Sequence, residues 1–331
     1  MTGTASLSLV LLTFNRWDLT RKLLDSLAAD PAGCATTELV WVDNGSADGT
    51  PERCREWLAA HDGLFAGVRA RANAANHGFI VGVNEGVSLA TGTYVCLVNS
   101  DTTVPAGWKR DLLAPFADEA VGAVGPVSNG MPWNQSERWA GTGVRAVDVL
   151  YGFCLVVRRD VLDRVGLLDE RYGRGVIEVE DWCERARRAG WELRVHGGVL
   201  VTHDEPHASY TPRVNAMLHI RNRGLFERKW GRGPHYWGDR DGTLVTFAET
   251  VVAVDPPSIE DVLADAAPDV EVLVVAPHRD DGHLGWIRLA REDPRLNVVC
   301  VRPDWTSGGG RLDGIVRANA RGVRAPVPAR P

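Results

Sequence analysis

Asn99, Ser100 and Asp101 have the residue types that bind a divalent cation or a phosphorylated ligand. They follow the apolar run Thr93–Val98, where a carboxylate supplies the hard oxygen ligand that Mg²⁺ prefers. Because Mg²⁺ keeps several waters and takes substrate phosphates as ligands, one aspartate and a diphosphate are a sufficient start for such a site. The alternative is an aspartate that only caps a turn, since Asx turns are common at strand ends.

A second group of acids contains Glu178, Glu180 and Asp181, at the start of a predicted amphipathic helix over Glu180–Ala189. A carboxylate of this group is the type of side chain that takes a proton in general base catalysis. The structural alternative holds for all three acids, because negative charge at a helix N-terminus complements the helix dipole.

Short apolar runs precede the polar groups, and their order predicts the elements that position them. Leu7–Leu12 and Glu38–Val42 are suited to buried parallel strands, and each is followed by a polar turn and a helix. Repeated strand–loop–helix units predict an α/β fold with a parallel sheet. Ligands of such sheets bind at the carboxyl ends of the strands, where the polar clusters at residues 13–16, 43–46 and 99–101 would lie.

Composition narrows the class of protein. The chain has 331 residues, of which 44% are hydrophobic and 24% charged, and these fractions are typical of a globular protein rather than a disordered chain or a disulfide scaffold. The net charge of −6 gives no general basic field for nucleic acid. We find no CxxC pair, no signal-type segment and no apolar run near the roughly 20 residues that span a bilayer. These features predict reduced thiols and a cytoplasmic protein without a transmembrane segment.

The ordered set of segments over about residues 6–232 resembles family 2 glycosyltransferases, including bacterial rhamnosyltransferase-like members. The resemblance implies a GT-A fold, a Rossmann-like mixed sheet flanked by helices, and an inverting transfer from a nucleotide-diphosphate sugar. The segments that carry it are Leu11–Arg16, Val42–Thr50, Asn76–Phe79 with Gly82 and Asn84, Asn99–Asp101, Gly152–Arg159 and Val165–Tyr172.

The same resemblance assigns a donor pocket. Asp43 would contact the base or ribose of the nucleotide, and Thr13, Asn15 and Arg16 would line the same pocket. Asn99 departs from the family pattern, because it is an amide where the family carries the first of two acids. The further predicted donor-binding residues are Asn44, Asn76, Gly78, Asn84, Asn99, Ser100 and Arg221. For Arg221, a solvated basic face is the competing interpretation.

By resemblance, Asp101 would hold the Mg²⁺ or Mn²⁺ that bridges the donor diphosphate. His203 matches a family histidine after a late strand and is predicted as the second ligand; a surface histidine is the alternative. One neutral imidazole, one carboxylate and diphosphate oxygens suit either ion. His207 and Ser209 follow closely and are weaker candidates for contacts to phosphate or acceptor.

The catalytic base depends on the alignment with the family. Anchoring on Arg185 and Gly190 aligns Glu178 with the family glutamate, Val179 with its aspartate and Asp181 with a later aspartate. Anchoring on the dipeptide itself selects Glu180 and Asp181. Because Asp181 is an acid in both alignments, it is predicted as the base, with Glu180 second and Glu178 third.

The sequence thus predicts a metal-dependent inverting glycosyltransferase that moves a hexosyl, deoxyhexosyl or N-acetylhexosaminyl group to a hydroxyl or amine. A UDP-sugar is the favoured donor and a dTDP-sugar the next; a glycan, lipid-linked group, carrier-bound group or natural product is the acceptor. A nucleotidyltransferase of similar architecture and a non-catalytic sugar-nucleotide-binding module are the alternatives. Residues 1–235 are predicted as the catalytic domain. Residues 236–331 are predicted as a small α/β extension with a flexible end, which packs on the enzyme or forms a homodimer contact.

Overall fold

The structure is a computed structural model, and the residues that it describes form two compact units. The described residues are 6–129, 131, 133–204, 212–231, 234, 249–254, 258–266, 270–277, 296–301, 315–316 and 318–319. The first unit comprises Met1–Arg159 and Trp191–Tyr210, and the second comprises Asp160–Gly190 and Thr211–Pro331. The proposed boundary at residue 235 stays a prediction; in the structure, residues 160–190 group with the C-terminal part of the chain.

The first unit is built on a mixed sheet flanked by helices, which confirms the predicted fold class. Its strands are β1 (Leu7–Thr13), β2 (Thr37–Asp43), β3 (Gly67–Ala72), β4 (Tyr94–Asn99), β5 (Thr102–Thr103), β6 (Val121–Ser128), β7 (Val144–Val147), β8 (Cys154–Arg158) and β9 (Glu192–His203). Its helices are α1 (Trp17–Ala28), α2 (Pro31–Cys34), α3 (Thr50–Ala60), α4 (Phe79–Leu89) and α5 (Trp108–Leu113).

The strand order is β3-β2-β1-β4-β8-β6-β9-β5, and β7 also pairs with β9. Strands β1 to β4 are mutually parallel, as the apolar runs predicted, because both faces of β1 and β2 are buried. The antiparallel pairs β4–β8 and β6–β8 make the sheet mixed. In the register of the parallel strands, Thr13 lies opposite Asp43 and Leu12 opposite Asn99. The polar residues at the ends of three strands therefore lie along one edge.

Helix α4 packs directly on the centre of the sheet because two of its residues have no side chain. A Cβ added at Gly82 would overlap Leu12 Cδ1, and a Cβ added at Gly86 would overlap Val10 Cγ1. Seven of the eleven residues of α4 are buried, so this helix lies in the core rather than on the surface. Its close packing fixes the loop that precedes it, Asn73–Gly78, against the carboxyl edge of the sheet.

The second unit contains the later helices and a parallel sheet of three strands in the order β10-β11-β12. This sheet confirms the predicted C-terminal α/β region, including strands near residues 270–276 and 297–301. The predicted helix at 284–291 and the predicted flexible end lie outside the described residues. The elements are α6 (Arg159–Val165), α7 (Glu178–Arg188), α8 (Pro212–Trp230), β10 (Glu249–Val254), α9 (Ile259–Asp265), β11 (Val270–Pro277) and β12 (Leu296–Val301).

Among the described residues, no helix combines the length and the apolar composition needed to cross a lipid bilayer.

Candidate active site

The carboxylate of Asp43 is held at the end of β2 by hydrogen bonds from two neighbouring loops. Thr13 Oγ1 donates to Asp43 Oδ1 at 3.0 Å, and Trp41 Nε1 donates to Thr13 Oγ1 at 2.9 Å. Ser46 donates to the same carboxylate twice, from Oγ to Oδ1 at 2.6 Å and from its backbone N to Oδ2 at 2.9 Å. Asp43 is buried, so this carboxylate has one fixed orientation.

Asn15 and Arg16 turn the chain sharply after β1. Both residues have a positive φ, 55° and 60°, which asparagine tolerates better than most residues. The Asn15 side chain accepts a hydrogen bond from the backbone N of Ala47 at 2.9 Å, and the Asn15 backbone N donates to Ser46 Oγ at 2.7 Å. Arg16 is exposed and forms an ion pair with Asp18 at 3.1 Å. The structure thus joins the β1 and β2 loops into one rim; the donor contacts of Thr13, Asn15, Arg16 and Asp43 stay predictions.

Asn44 brings the predicted residues Asn76 and Gly78 to the same rim, but its side chain bonds to the protein itself. Its Nδ2 donates to Asn76 Oδ1 and to the Gly78 carbonyl, both at 3.1 Å. Its Oδ1 accepts hydrogen bonds from Asn73 Nδ2 at 3.3 Å and from the His77 backbone N at 3.0 Å. Asn44 therefore shapes the loop, and its predicted contact with the donor stays a prediction.

Glu85 completes this network and was not identified from the sequence. Its buried carboxylate accepts a hydrogen bond from Asn73 Nδ2 at 2.6 Å and lies 3.2 Å from His77 Nδ1. Asn84, predicted to bind the donor, is fully buried within α4. The sequence did contain a signal for Glu85, because it is an acid inside an apolar helix. A buried carboxylate requires polar partners.

Asp101 and His203 are brought together by strand pairing. Thr102 of β5 pairs with His203 at the end of β9, and the backbone N of Asp204 donates to the Asp101 carbonyl at 2.9 Å. His203 Nε2 then lies 3.0 Å from Asp101 Oδ1. The predicted partners Asn99 and Ser100 are half-buried in the turn that precedes Asp101.

The separation of these two atoms fits a shared divalent cation. Two adjacent ligands of an octahedral ion, each about 2.1 Å from the metal, lie about 3.0 Å apart. Within the described part of the chain, no group of three or more His, Cys, Asp or Glu residues forms a metal site. A cation here would therefore take its remaining ligands from water and from a diphosphate, as Mg²⁺ commonly does. His207 and Ser209 lie outside the described residues.

Asn129 fixes the backbone of His203 and was not identified from the sequence as a functional candidate. Its Oδ1 accepts a hydrogen bond from the His203 N at 2.7 Å, and its Nδ2 donates to the His203 carbonyl at 3.2 Å. Asn129 directly follows β6, just as Asp43 ends β2 and Asn99 ends β4. Its position after a buried strand was the signal that could have identified it.

In the second unit, Glu178 is the first residue of α7 and is only 6% exposed. Its Oε2 has no hydrogen-bond partner among the described residues. Burial, together with the negative charge of Glu180, raises the pKa of Glu178 to about 8. A carboxyl group with these properties changes its protonation state near neutral pH.

Asp181 has the opposite environment. This carboxylate is fully buried and accepts hydrogen bonds from Tyr172 Oη at 3.2 Å, Arg185 Nε at 3.0 Å and Trp230 Nε1 at 2.8 Å. Lys229 Nζ lies 2.9 Å from its Oδ1 and 3.1 Å from its Oδ2. A carboxylate shared by two cations and two further donors is structural, so these contacts argue against our preference for Asp181 as the base.

Glu180 and Arg221 both contact other parts of the protein. Glu180 is buried and takes part in contacts within the protein. The guanidinium of Arg221 donates to the Arg171 carbonyl at 3.0 Å, to the Tyr172 carbonyl at 3.3 Å and to Asn222 Oδ1 at 2.8 Å. These bonds join Arg221 to the loop before α7, and its predicted contact with the diphosphate stays a prediction.

Residues 8–166 match the profile described as Glycosyl transferase family 2. Over these residues the chain is similar to family 2 glycosyltransferases. The match confirms the resemblance inferred from the sequence. It includes Asp43 and Asp101 and ends before Glu178 and His203.

This glycosyltransferase is similar to an N-acetylglucosaminyl-diphospho-decaprenol L-rhamnosyltransferase of Mycobacterium tuberculosis (strain H37Rv), with 25% identity over 260 residues. The alignment covers 64% of this chain and 82% of the relative.

Two solved structures share the fold of this glycosyltransferase. A mannosyltransferase from Pyrobaculum calidifontis in complex with GDP-Man and Mn²⁺ has a TM-score of 0.54 and 22% identity, over 70% of this chain and 66% of that one. GalNAc-T7 with UDP, GalNAc and Mn²⁺ has a TM-score of 0.55 and 14% identity, over 96% of this chain and 59% of that one. This chain thus spans about two thirds of the mannosyltransferase chain and about three fifths of the GalNAc-T7 chain.

Proposed function

We propose that this chain is a metal-dependent inverting glycosyltransferase, which moves a sugar from a nucleotide-diphosphate donor to a hydroxyl or amine of an acceptor. The observation that carries the proposal is the pair Asp101 Oδ1 and His203 Nε2, 3.0 Å apart at the carboxyl edge of the sheet. The Mn²⁺ named with both solved structures of the same fold supports a divalent cation.

The donor side of the reaction belongs to the first unit. Asp101 and His203 would hold Mg²⁺ or Mn²⁺, which would supply positive charge to the departing diphosphate. Asp43 would bind the nucleoside, and its fixed orientation supports this role because Thr13 and Ser46 already determine where its lone pairs point. Arg16 is the exposed cation on the same rim.

The acceptor side requires a base. In a single displacement, the acceptor oxygen or nitrogen forms a bond to the anomeric carbon while the bond from that carbon to the phosphate oxygen breaks. The nucleoside diphosphate leaves with the electron pair, and the acceptor proton passes to the base. We now assign this base to Glu178, ahead of Glu180 and Asp181, because one of its carboxylate oxygens has no hydrogen-bond partner in the described part of the chain. A pKa of about 8 also gives Glu178 the proton affinity that a base needs near neutral pH.

The donor and acceptor remain proposals. We retain a UDP-sugar as the first candidate donor and a dTDP-sugar as the second. The name of the mycobacterial relative supports transfer of a deoxyhexosyl group to a carrier-linked sugar, as in cell-surface glycan synthesis. The cytoplasmic location, the homodimer and the lack of a nucleic acid partner stay predictions.

Donor binding is tested by thermal unfolding with UDP or dTDP, with and without Mn²⁺. A ligand at 100 times its Kd stabilises the folded state by about 2.7 kcal/mol. We expect this stabilisation to require Mn²⁺ and to be lost in Asp101→Asn. The matched control is Asp204→Asn, because Asp204 is a neighbouring acid that pairs with Lys22 at 2.9 Å. Equal stabilisation of the wild type and Asp101→Asn would contradict the metal assignment.

One observation favours a second candidate, a non-catalytic sugar-nucleotide-binding module. Asn99 replaces one acid of the family pair, and Val179 stands in the aligned position of another. Such a module would bind UDP with Mn²⁺ but release no nucleoside diphosphate from any donor, with or without acceptor. Release of pyrophosphate instead would indicate a nucleotidyltransferase.

A further inference from the structure

The turn before α7 has a backbone conformation that its residues do not favour. Val176 and Ile177 have φ values of 75° and 74°, and both are β-branched. A β-branched residue with positive φ is an outlier, and such a conformation is energetically costly. It persists only where the surrounding structure holds it in place.

A buried side chain from α8 bonds to this turn. Asn222, on α8, is fully buried, and its Nδ2 lies 2.7 Å from the carbonyl oxygens of both Gly175 and Val176. The same Nδ2 donates to the Tyr172 carbonyl at 2.9 Å, and Asn222 Oδ1 accepts a hydrogen bond from Arg221 at 2.8 Å. The amide of Asn222 is therefore bonded to the backbone on the N-terminal side of Glu178.

The residue that follows the turn is also in an unfavourable state. Glu178 is buried with one carboxylate oxygen unpartnered, and leaving a buried polar atom without a hydrogen bond is costly. A glutamate at a helix N-terminus with a free backbone would turn its side chain toward water. Strain at Val176 and Ile177 and an unpartnered oxygen at Glu178 are thus adjacent among the described residues, and the Asn222 amide bonds to the backbone directly before them.

We infer that Asn222 is a positioning residue for Glu178: its amide clamps the Gly175–Ile177 turn and thereby holds the Glu178 carboxylate buried and ready to accept a proton. This inference rests on the proposed function, in which Glu178 is the base. Asn222 itself touches only the backbone carbonyls and Arg221 in these contacts, so its effect on the reaction passes through the turn.

If Asn222 had only a structural role, its loss would affect stability and not the rate of the reaction. A matched buried asparagine serves as the control that distinguishes these two roles. Asn319 is also a fully buried asparagine of the second unit, and its Nδ2 donates to the carbonyls of Val165 and Ile315. Replacement of Asn319 by alanine removes a similar buried amide without touching the turn. The isosteric Asn222→Asp keeps the shape of Asn222 but removes its N–H donors.

The experiment compares kcat, the donor KM and Tm of the full-length wild type, Asn222→Ala, Asn222→Asp and Asn319→Ala, with Mn²⁺ and the donor sugar nucleotide that turns over. We expect both Asn222 variants to lower kcat by at least tenfold and to leave the donor KM within about twofold. Asn319→Ala should lower Tm comparably and leave kcat within about twofold. Asn222→Ser keeps one hydrogen-bond donor, so its kcat should lie between those of the wild type and Asn222→Ala. This variant is used if Asn222→Ala is too unstable to measure.

The inference is overturned if folded Asn222 variants keep wild-type kcat, or if Asn319→Ala loses as much kcat for the same loss of Tm. Glu178→Gln separates this outcome from failure of the proposed function. If Glu178→Gln retains full kcat, Glu178 is not the base, and the base assignment and the positioning role of Asn222 both fail while the proposed transfer reaction stands. If Glu178→Gln is inactive and the Asn222 variants are normal, only the positioning role is wrong.

Discussion

At the scale of single residues, Glu178 and Asp181 lie about one helical turn apart, and their neighbours make them chemically different. Asp181 shares its charge with Arg185 and Lys229, whereas Glu178 is buried beside the acids Glu180 and Asp181. Cations favour the ionised form of a carboxyl group, while burial and like charges favour the neutral form. One helix thus carries a carboxylate that is paired with two cations and a carboxyl group whose pKa is raised to about 8.

The pKa of Glu178 leads to a prediction for the pH dependence of the rate. A general base is active when it is ionised, and the pKa of Glu178 is raised to about 8 from its ordinary value of 4.5. We therefore expect kcat to rise with pH between about 7 and 9, with a midpoint near 8. The measurement is kcat at saturating donor and acceptor over this range. A flat profile, or a midpoint below 6, would contradict the assignment of Glu178.

Asp181 gives a prediction for stability. In Asp181→Asn, the buried cations Lys229 and Arg185 lose their shared anion. Removing one partner of a buried ion pair destabilises a protein by about 3–5 kcal/mol. We expect a loss of this size in the free energy of unfolding, measured with urea. The control Asp18→Asn removes an exposed ion pair with Arg16 and should cost no more than about 1 kcal/mol. Similar values for the two variants would show that Asp181 is not part of a structural network.

At the scale of elements, the sequence predicts what depends on local pattern. The apolar runs Leu7–Leu12 and Thr93–Val98 became the central strands β1 and β4, with their polar residues at one edge. The antiparallel pairing of β8 is not predictable in this way, because it depends on contacts between strands about 60 residues apart.

The structural role of Asp181 could not be predicted from the sequence either, because it also depends on contacts between residues far apart in the chain. Its acid character and its place at the start of a helix are visible in the sequence. Its partner Lys229 is 48 residues away, and only the fold of the second unit brings the two together. The hydrogen bonds from Asn222 to the turn before α7 likewise cannot be predicted without knowing where α8 packs.

Helix α4 provides the prediction for an element. Its contact with β1 requires glycine at position 86, where an added Cβ would overlap Val10 Cγ1. Overpacking a core of this kind destabilises by about 1–3 kcal/mol. We expect Gly86→Ala to lower the free energy of unfolding by this amount. Gly67→Ala is the control, because a Cβ at Gly67 meets no atom within 4 Å. A Gly86→Ala variant as stable as Gly67→Ala would refute this account of α4.

At the scale of the whole molecule, the C-terminal part of the chain and an earlier segment form one compact unit. Residues 160–190 belong to the same compact unit as residues 211–331. Within that unit, Ile315 and Ala318 are buried, and Asn319 donates a hydrogen bond to the Val165 carbonyl at the end of α6. Residues beyond 235 are thus part of the unit that contains Glu178 and Asp181, even though the resemblance to the family stops near residue 232.

Truncation after residue 235 tests this division of the chain. If residues 236–331 were a separate appendage, their removal would leave α6 and α7 as stable as before. Because Asn319, Ile315 and Ala318 are buried in the second unit, we expect their loss to expose apolar surface and to weaken the packing of residues 160–190. Hydrogen exchange should then speed up at least tenfold in α7 and change little in β1 of the first unit. Unchanged exchange in α7, together with unchanged kcat, would show that the catalytic part ends near residue 235.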